Sequence, residues 1–228
     1  MAEMLTHVRS ALAVNFSRCI QGYHLINADP AKESIWESLN AQIFSASGCP
    51  VQSKSSGSHA PGSDITCAIG NISNKSAKYE PGNGAFSVSS YRLTATCSSS
   101  SFGTIPEIFA EISSRKNFQY YSIIVREETG EKFRYDWYLI PSDYPQFNPE
   151  AYAWSPMMGQ RGKNKDKQIG WKTNEINGSS MSITFSMSSQ LWMYMNVTEE
   201  MRQFIIGTAT ASREQRFNYL ELYEMLNK

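Results

Sequence analysis

The sequence predicts an α+β fold in which a mixed central β-sheet is flanked by helices, and three observations carry that expectation. Apolar residues recur at helical spacing over residues 5–44, the period then changes to two, and helical spacing returns only in short stretches between and after the strands. Hydrophobic residues make up 41% and aromatics 12% of 228 residues, enough to bury a sizeable core. No internal repeat and no linker composition divides the chain, so a single domain over residues 1–228 is the simplest organisation.

Leu5, Val8, Leu12, Phe16 and Ile20 mark a first helix ending near Gly22. Asp29 before Pro30 reads as the N-cap and first turn of a second helix. Its apolar face is Ile35, Trp36, Leu39, Ile43 and Phe44, and Gly48 stops it. Residues 52–63 are mostly Ser, Gly, Pro and Lys and read as a solvated loop. Ile65, Cys67 and Ile69 then alternate with smaller residues, Gly70 and Asn71 supply turn chemistry, and Ile72 to Lys78 completes a hairpin. A third strand is expected from about Phe86 to Thr96. After the serines at 98–101, Ile105, Ile108, Phe109 and Ile112 place a helix over Thr104 to Lys116. Phe118 to Glu127 and Lys132 to Ile140 should pair as a central hairpin, and prolines 141, 145, 149 and 156 keep the next stretch irregular. Strands at Met181 to Met187 and Leu191 to Met195, then helices near Thr198 to Ile206 and Arg213 to Leu226, finish the chain.

The 21 Lys and Arg balance the 21 Asp and Glu, which excludes a histone-like polycation. The balance is uneven along the chain. The window 161–172 has five basic residues against Asp166 alone, an excess of four, and the composition of a mobile basic loop; Glu127, Glu128 and Glu131 concentrate acid at a hairpin turn. Four cysteines without a C-x-x-C pair and three scattered histidines speak against a structural zinc site. No apolar run reaches the roughly 18–20 residues that span a bilayer, and Glu3, His7 and Arg9 interrupt the start, so the expectation is a soluble, cytoplasmic protein.

The stretch that carries chemistry is Ser58 to Ile65, followed after a short hairpin by Ile72 to Ser76. A carboxylate entering one strand and a lysine in its hairpin partner place both groups on neighbouring strands. With a two-residue turn at Gly70 and Asn71, Lys75 faces Thr66, two residues from Asp64 on the same face. That pairing suits phosphodiester cleavage: Mg²⁺ takes carboxylate oxygens and keeps several waters, while a nearby lysine positions the attacking water and offsets charge on the phosphate. Glu37, about 100° around its helix from the core residue Trp36, borders the apolar face and can supply a second acid, with Glu33 one turn earlier as the alternative.

The order helical Glu37, then Pro61, Gly62, Ser63 and Asp64, then Ile72, Ser73, Asn74 and Lys75 resembles the PD-(D/E)xK nuclease superfamily, and within it the type II restriction endonucleases. Residues 75–78, 86–93 and 185–192 are also similar to restriction-enzyme sequence. The resemblance implies a restriction-endonuclease-like fold and a sequence-specific, Mg²⁺-dependent endodeoxyribonuclease acting on double-stranded DNA. Asp64 and Glu37 would bind metal, Ser73 would order a metal-bound water, and Lys75 would assist the nucleophile. It further implies a homodimer, and a cognate DNA methyltransferase that forms no stable complex with it. Ser73 departs from the family, which has Asp or Glu two residues before the lysine; a hydroxyl accepts a hydrogen bond but brings no charge.

DNA contacts are expected from Lys78, from Arg92 on a serine-rich strand, and from Arg161, Lys163, Lys165 and Lys167 in the basic window, with His59 as a further phosphate contact and Ser188, Ser189 and Gln190 as contacts to bases or backbone. The second reading is a non-catalytic DNA- or protein-binding or structural protein of a virus or phage. A nuclease of another role, in repair or transposon excision, is the third.

Overall fold

The computed structural model describes residues 2–54, 63–82, 84–98 and 102–227, with side chains from Leu5 onward. His59, Pro61 and Gly62 lie outside the described residues. In chain order the elements are α1 (Ala2–Ile26), α2 (Glu33–Ala46), β1 (Val51–Lys54), β2 (Ile65–Cys67), β3 (Gly70–Lys78), β4 (Ala85–Arg92), α3 (Ile105–Arg115), β5 (Tyr120–Thr129), β6 (Lys132–Pro141), β7 (Trp154–Met158), β8 (Gln168–Thr173), β9 (Ser180–Thr184), β10 (Gln190–Asn196), α4 (Glu199–Arg202), β11 (Ile205–Ser212) and α5 (Tyr219–Leu226).

The expected mixed central sheet is present. Sheet A has the order β1-β2-β3-β5-β6-β11, all neighbours antiparallel except β3 and β5, which run parallel. Its two faces feed two cores because side chains alternate along each strand. Ile124, Phe133, Tyr135, Trp137 and Leu139 turn toward α1 and α2. There Phe16, Trp36 and Phe44 each meet the Trp137 ring with centroids 5.5–5.7 Å apart. Tyr121, Ile123, Val125, Tyr138 and Ile140 turn the other way, toward Ile108 and Ile112 of α3 and the second sheet.

Sheet B, with the order β4-β10-β9-β8-β7, is antiparallel throughout. It joins sheet A at one corner, where Tyr79 after β3 bridges Phe86 of β4. The third strand of the expected single sheet is therefore the edge of a second one. β7 lies in the stretch expected to be irregular, and β8 in the window expected to be a mobile basic loop. Pro156 is tolerated there because β7 is an edge strand with no ladder on its outer side.

Four other expectations are corrected. α1 runs past Gly22 to Ile26, and α2 begins at Glu33 with Lys32 as its N-cap, leaving Asp29 and Pro30 outside. The helix expected to reach Ile206 is one turn, after which Ile205–Ser212 forms β11 beside β6. The hairpin turn falls at Ala68 and Ile69, so Thr66 pairs with Asn71 and not with Lys75. α3 matches its expectation closely: Thr104 caps it in a reciprocal box with Glu107. Among the described residues no helix is long and apolar enough to cross a membrane.

Candidate functional site

The short β2 controls the chemistry of the Asp64–Lys75 region. Asp64 donates its N–H to Ile72 O (2.9 Å), and past that rung β2 no longer pairs with β3. The freed edge of β3 is then satisfied by the Asp64 side chain: Oδ2 accepts from the Asn74 N–H and, at 3.4 Å, from Ser73 Oγ. The Lys75 ammonium lies 2.8 Å from Glu33 Oε1, with the lysine side chain 14% and the glutamate 42% exposed. Glu37, one turn further along α2, is half-buried.

Burial pushes the Asp64 carboxyl above its ordinary value, against the Lys75 charge and the bonds from Asn74 and Ser73. Burial also raises Glu37, with Asp64 and Glu33 adding to the shift and Lys75 opposing it. For Lys75 burial pulls downward, but Glu33 and Asp64 together outweigh it and leave the ammonium held above its ordinary value. The structure thus brings Asp64, Ser73, Lys75 and Glu37 into one neighbourhood.

This neighbourhood does not form the expected metal centre. Among the described residues no group of three or more His, Cys, Asp or Glu side chains is placed to hold a metal ion. The donors explain why: Glu33 faces an ammonium, Asp64 accepts from Asn74 and Ser73, and Ser73 supplies no charge. The expectations of Mg²⁺, of metal ligation by Asp64 and Glu37, and of a Mg²⁺-dependent endonuclease of the restriction type are corrected accordingly. The arrangement is an internal ion network in which Lys75 is the cation, tying the start of α2 to the free edge of β3.

Behind it lies a polar patch that the sequence reading overlooked. Asn40, fully buried on α2, donates Nδ2 to Asn74 Oδ1 (2.7 Å) and to Ser122 Oγ. Ser122 in turn receives Trp137 Nε1 at its hydroxyl (2.9 Å) and Trp36 Nε1 at its carbonyl (3.1 Å). The signal available in the sequence was a polar residue four positions after Trp36, on the face that packs inward.

The expected DNA contacts lie elsewhere. Lys78 ends β3 with Nζ 3.2 Å from Glu128 Oε1, and Arg92 ends β4 exposed, opposite Gln190. Ser189 is buried, its hydroxyl donating to Thr184 O (3.1 Å), which makes it a turn-forming residue.

The basic window is the tip of the β7–β8 hairpin. Its backbone is closed by Gly159 N–H to Lys167 O (2.9 Å), Asp166 N–H to Gly159 O (3.0 Å) and Lys165 N–H to Gly162 O (3.1 Å). A Cβ at Gly159 would lie 2.0 Å from Asn164 O, so only glycine permits this closure. Arg161, Lys163, Lys165 and Lys167 are exposed on the tip and Lys172 is exposed on β8. Among the described residues none of these five forms an ion pair, whereas Lys75, Lys78, Arg115, Arg126, Arg134 and Arg202 all do. Compared with known proteins, the chain matches no family model, no curated protein and no solved structure.

Proposed function

We propose that the chain is a non-catalytic double-stranded DNA-binding protein, built on a restriction-endonuclease-like fold in which the Asp64–Lys75 region serves stability. The observation that carries this reading is the β7–β8 hairpin. β7 is the edge strand of sheet B and β8 pairs with β9 on its other side, so the turn segment 159–167 projects beyond the ladder; with Asp166 as the one acid there, the five exposed cations form no ion pair among the described residues. The projecting tip is narrow enough to approach the DNA major groove, about 12 Å wide, and its cations neutralise phosphates. The four free cysteines support a cytoplasmic setting.

A homodimer is part of the same reading, supported by α5. Tyr219, Leu220, Tyr223 and Leu226 form one stripe on this helix and are each 67–77% exposed. They offer roughly 600 Å² of largely apolar surface per protomer, close to the ~800 Å² that a stable interface buries on each side. An antiparallel pair of α5 helices across a two-fold axis brings the stripe onto itself.

The test is an anisotropy titration of mixed-sequence duplex DNA in buffer containing a metal chelator. Binding without metal, and lost on Lys163→Glu, Lys165→Glu and Lys167→Glu together, is the expected result. No binding at low salt would overturn the reading, as would equal binding by the triple variant.

A further inference from the structure

The strands of sheet B carry no aspartate and no glutamate; Arg92 and Lys172 are their only charged residues. One face is core, filled by Phe86, Val88, Met181, Ile183, Leu191, Met193 and Met195. On the opposite face the register lines up Ser89, Trp192, Ser182, Lys172 and Ser155 in one row across all five strands. A second row holds Ser87, Tyr194 and Ser180. Trp192 is 47% exposed in the midst of hydroxyls, and it is the most exposed tryptophan among the described residues.

An exposed indole flanked by small hydroxyls, on a face charged only by cations, matches the chemistry that holds unpaired bases: the ring stacks on a base, the hydroxyls bond to base edges or sugar, and the cations meet the backbone. Duplex DNA does not fit this face edge-on. Five strands span about 19 Å, wider than the roughly 12 Å major groove. Lys172 stands two strands from Trp192, about 10 Å away, a distance over which a nucleotide's base and a neighbouring phosphate can be engaged together.

We infer that the outer face of sheet B binds an unpaired stretch of DNA, with one base stacked on Trp192. The inference rests on DNA as the partner, and it adds a single-stranded subsite to the duplex-binding hairpin.

The experiment titrates single-stranded and duplex oligonucleotides into wild-type protein, Trp192→Ala, Trp192→Phe and the triple hairpin variant, following both anisotropy and tryptophan fluorescence. Thermal melts establish that each variant is folded. Single-stranded DNA should quench wild-type fluorescence. Trp192→Ala should weaken single-strand binding by about 5- to 150-fold, the range for loss of one base–aromatic stack, and leave duplex affinity unchanged. Trp192→Phe should keep most of the affinity and lose most of the quenching. Single-strand binding by Trp192→Ala equal to wild type, or quenching that persists in Trp192→Phe, overturns the inference while the hairpin reading stands. If Trp192→Ala weakens single-strand binding but the hairpin variant keeps full duplex affinity, the hairpin reading fails and the inference stands.

Discussion

Salt dependence offers the most quantitative test of the hairpin. Each phosphate neutralised releases condensed counterion, so the slope of log K against log salt is about −0.9 per contact. With all five cations on phosphates, Arg161, Lys163, Lys165, Lys167 and Lys172 give a slope of about −4.5, and raising salt fourfold weakens binding about 500-fold. Changing Lys163, Lys165 and Lys167 to Ala leaves two contacts, a slope of about −1.8, and a loss of only about 12-fold over the same interval. These side chains are exposed and form no ion pair among the described residues, so the variant's melting should stay within about 0.5 kcal/mol of wild type. Anisotropy titrations of one duplex at several salt concentrations read the slope directly. A variant slope equal to the wild-type slope would refute the assignment of these lysines to phosphate, whatever the absolute affinities.

Three further outcomes are expected. Lys75→Met leaves Glu33 and Asp64 facing each other without their cation and should destabilise the fold by about 1–3 kcal/mol in urea melts, less than a fully buried pair because Glu33 is 42% exposed. The folded pKa of Lys75 lies above 10.5, so its stabilisation is complete below that pH and disappears as pH rises through the folded value; the variant should lack this alkaline loss. Asp64 and Glu37 are held above 3.8 and 4.5, so the native state binds more protons than the unfolded chain between those values and the folded ones. Their contribution to stability grows as pH falls through that window, and Asp64→Asn should flatten the profile by its own share. Leu220→Glu combined with Tyr223→Glu should convert a dimer into a folded monomer in sedimentation; an unchanged mass would remove α5 from the interface.

The helices and the central hairpin were legible because their periods are strong and their turn chemistry is local. Thr104 and Glu107 announce α3, and the run from Tyr120 to Pro141 pairs as its alternation predicts. The Asp64 hairpin misled for a physical reason. Gly70 is required, but its constraint is tertiary: it has φ of 129°, and a Cβ there would lie 2.9 Å from Gln119 Oε1, which accepts the Asn71 N–H at 2.7 Å. A glycine that admits a neighbouring side chain looks, in sequence, like a turn glycine. The chain pairing of the site was likewise legible only in part. Asp64, Glu37, Glu33 and Lys75 do gather, but their convergence on a metal depends on which partner each carboxylate faces, and that is set by where β2 ends. β11 was hidden because its Ile, Thr and Ala alternation is short and directly follows a capped helical turn.

Zero net charge hides two differently built sheets. The charges of sheet A are matched at close range: Lys75 with Glu33 of α2, Lys78 and Arg126 with Glu128, Arg134 with Glu127 and Asp136. A matched pair is a dipole, whose field falls faster with distance than that of a lone charge and is screened beyond roughly 8–10 Å at moderate salt. In sheet B the strands have no carboxylates, and Asp166 is the only acid on the hairpin tip. The tip therefore acts on its surroundings as an excess of positive charge even though the whole chain is neutral. Such a protein steers a polyanion toward one edge, and its association should slow with added salt far more than its total charge suggests.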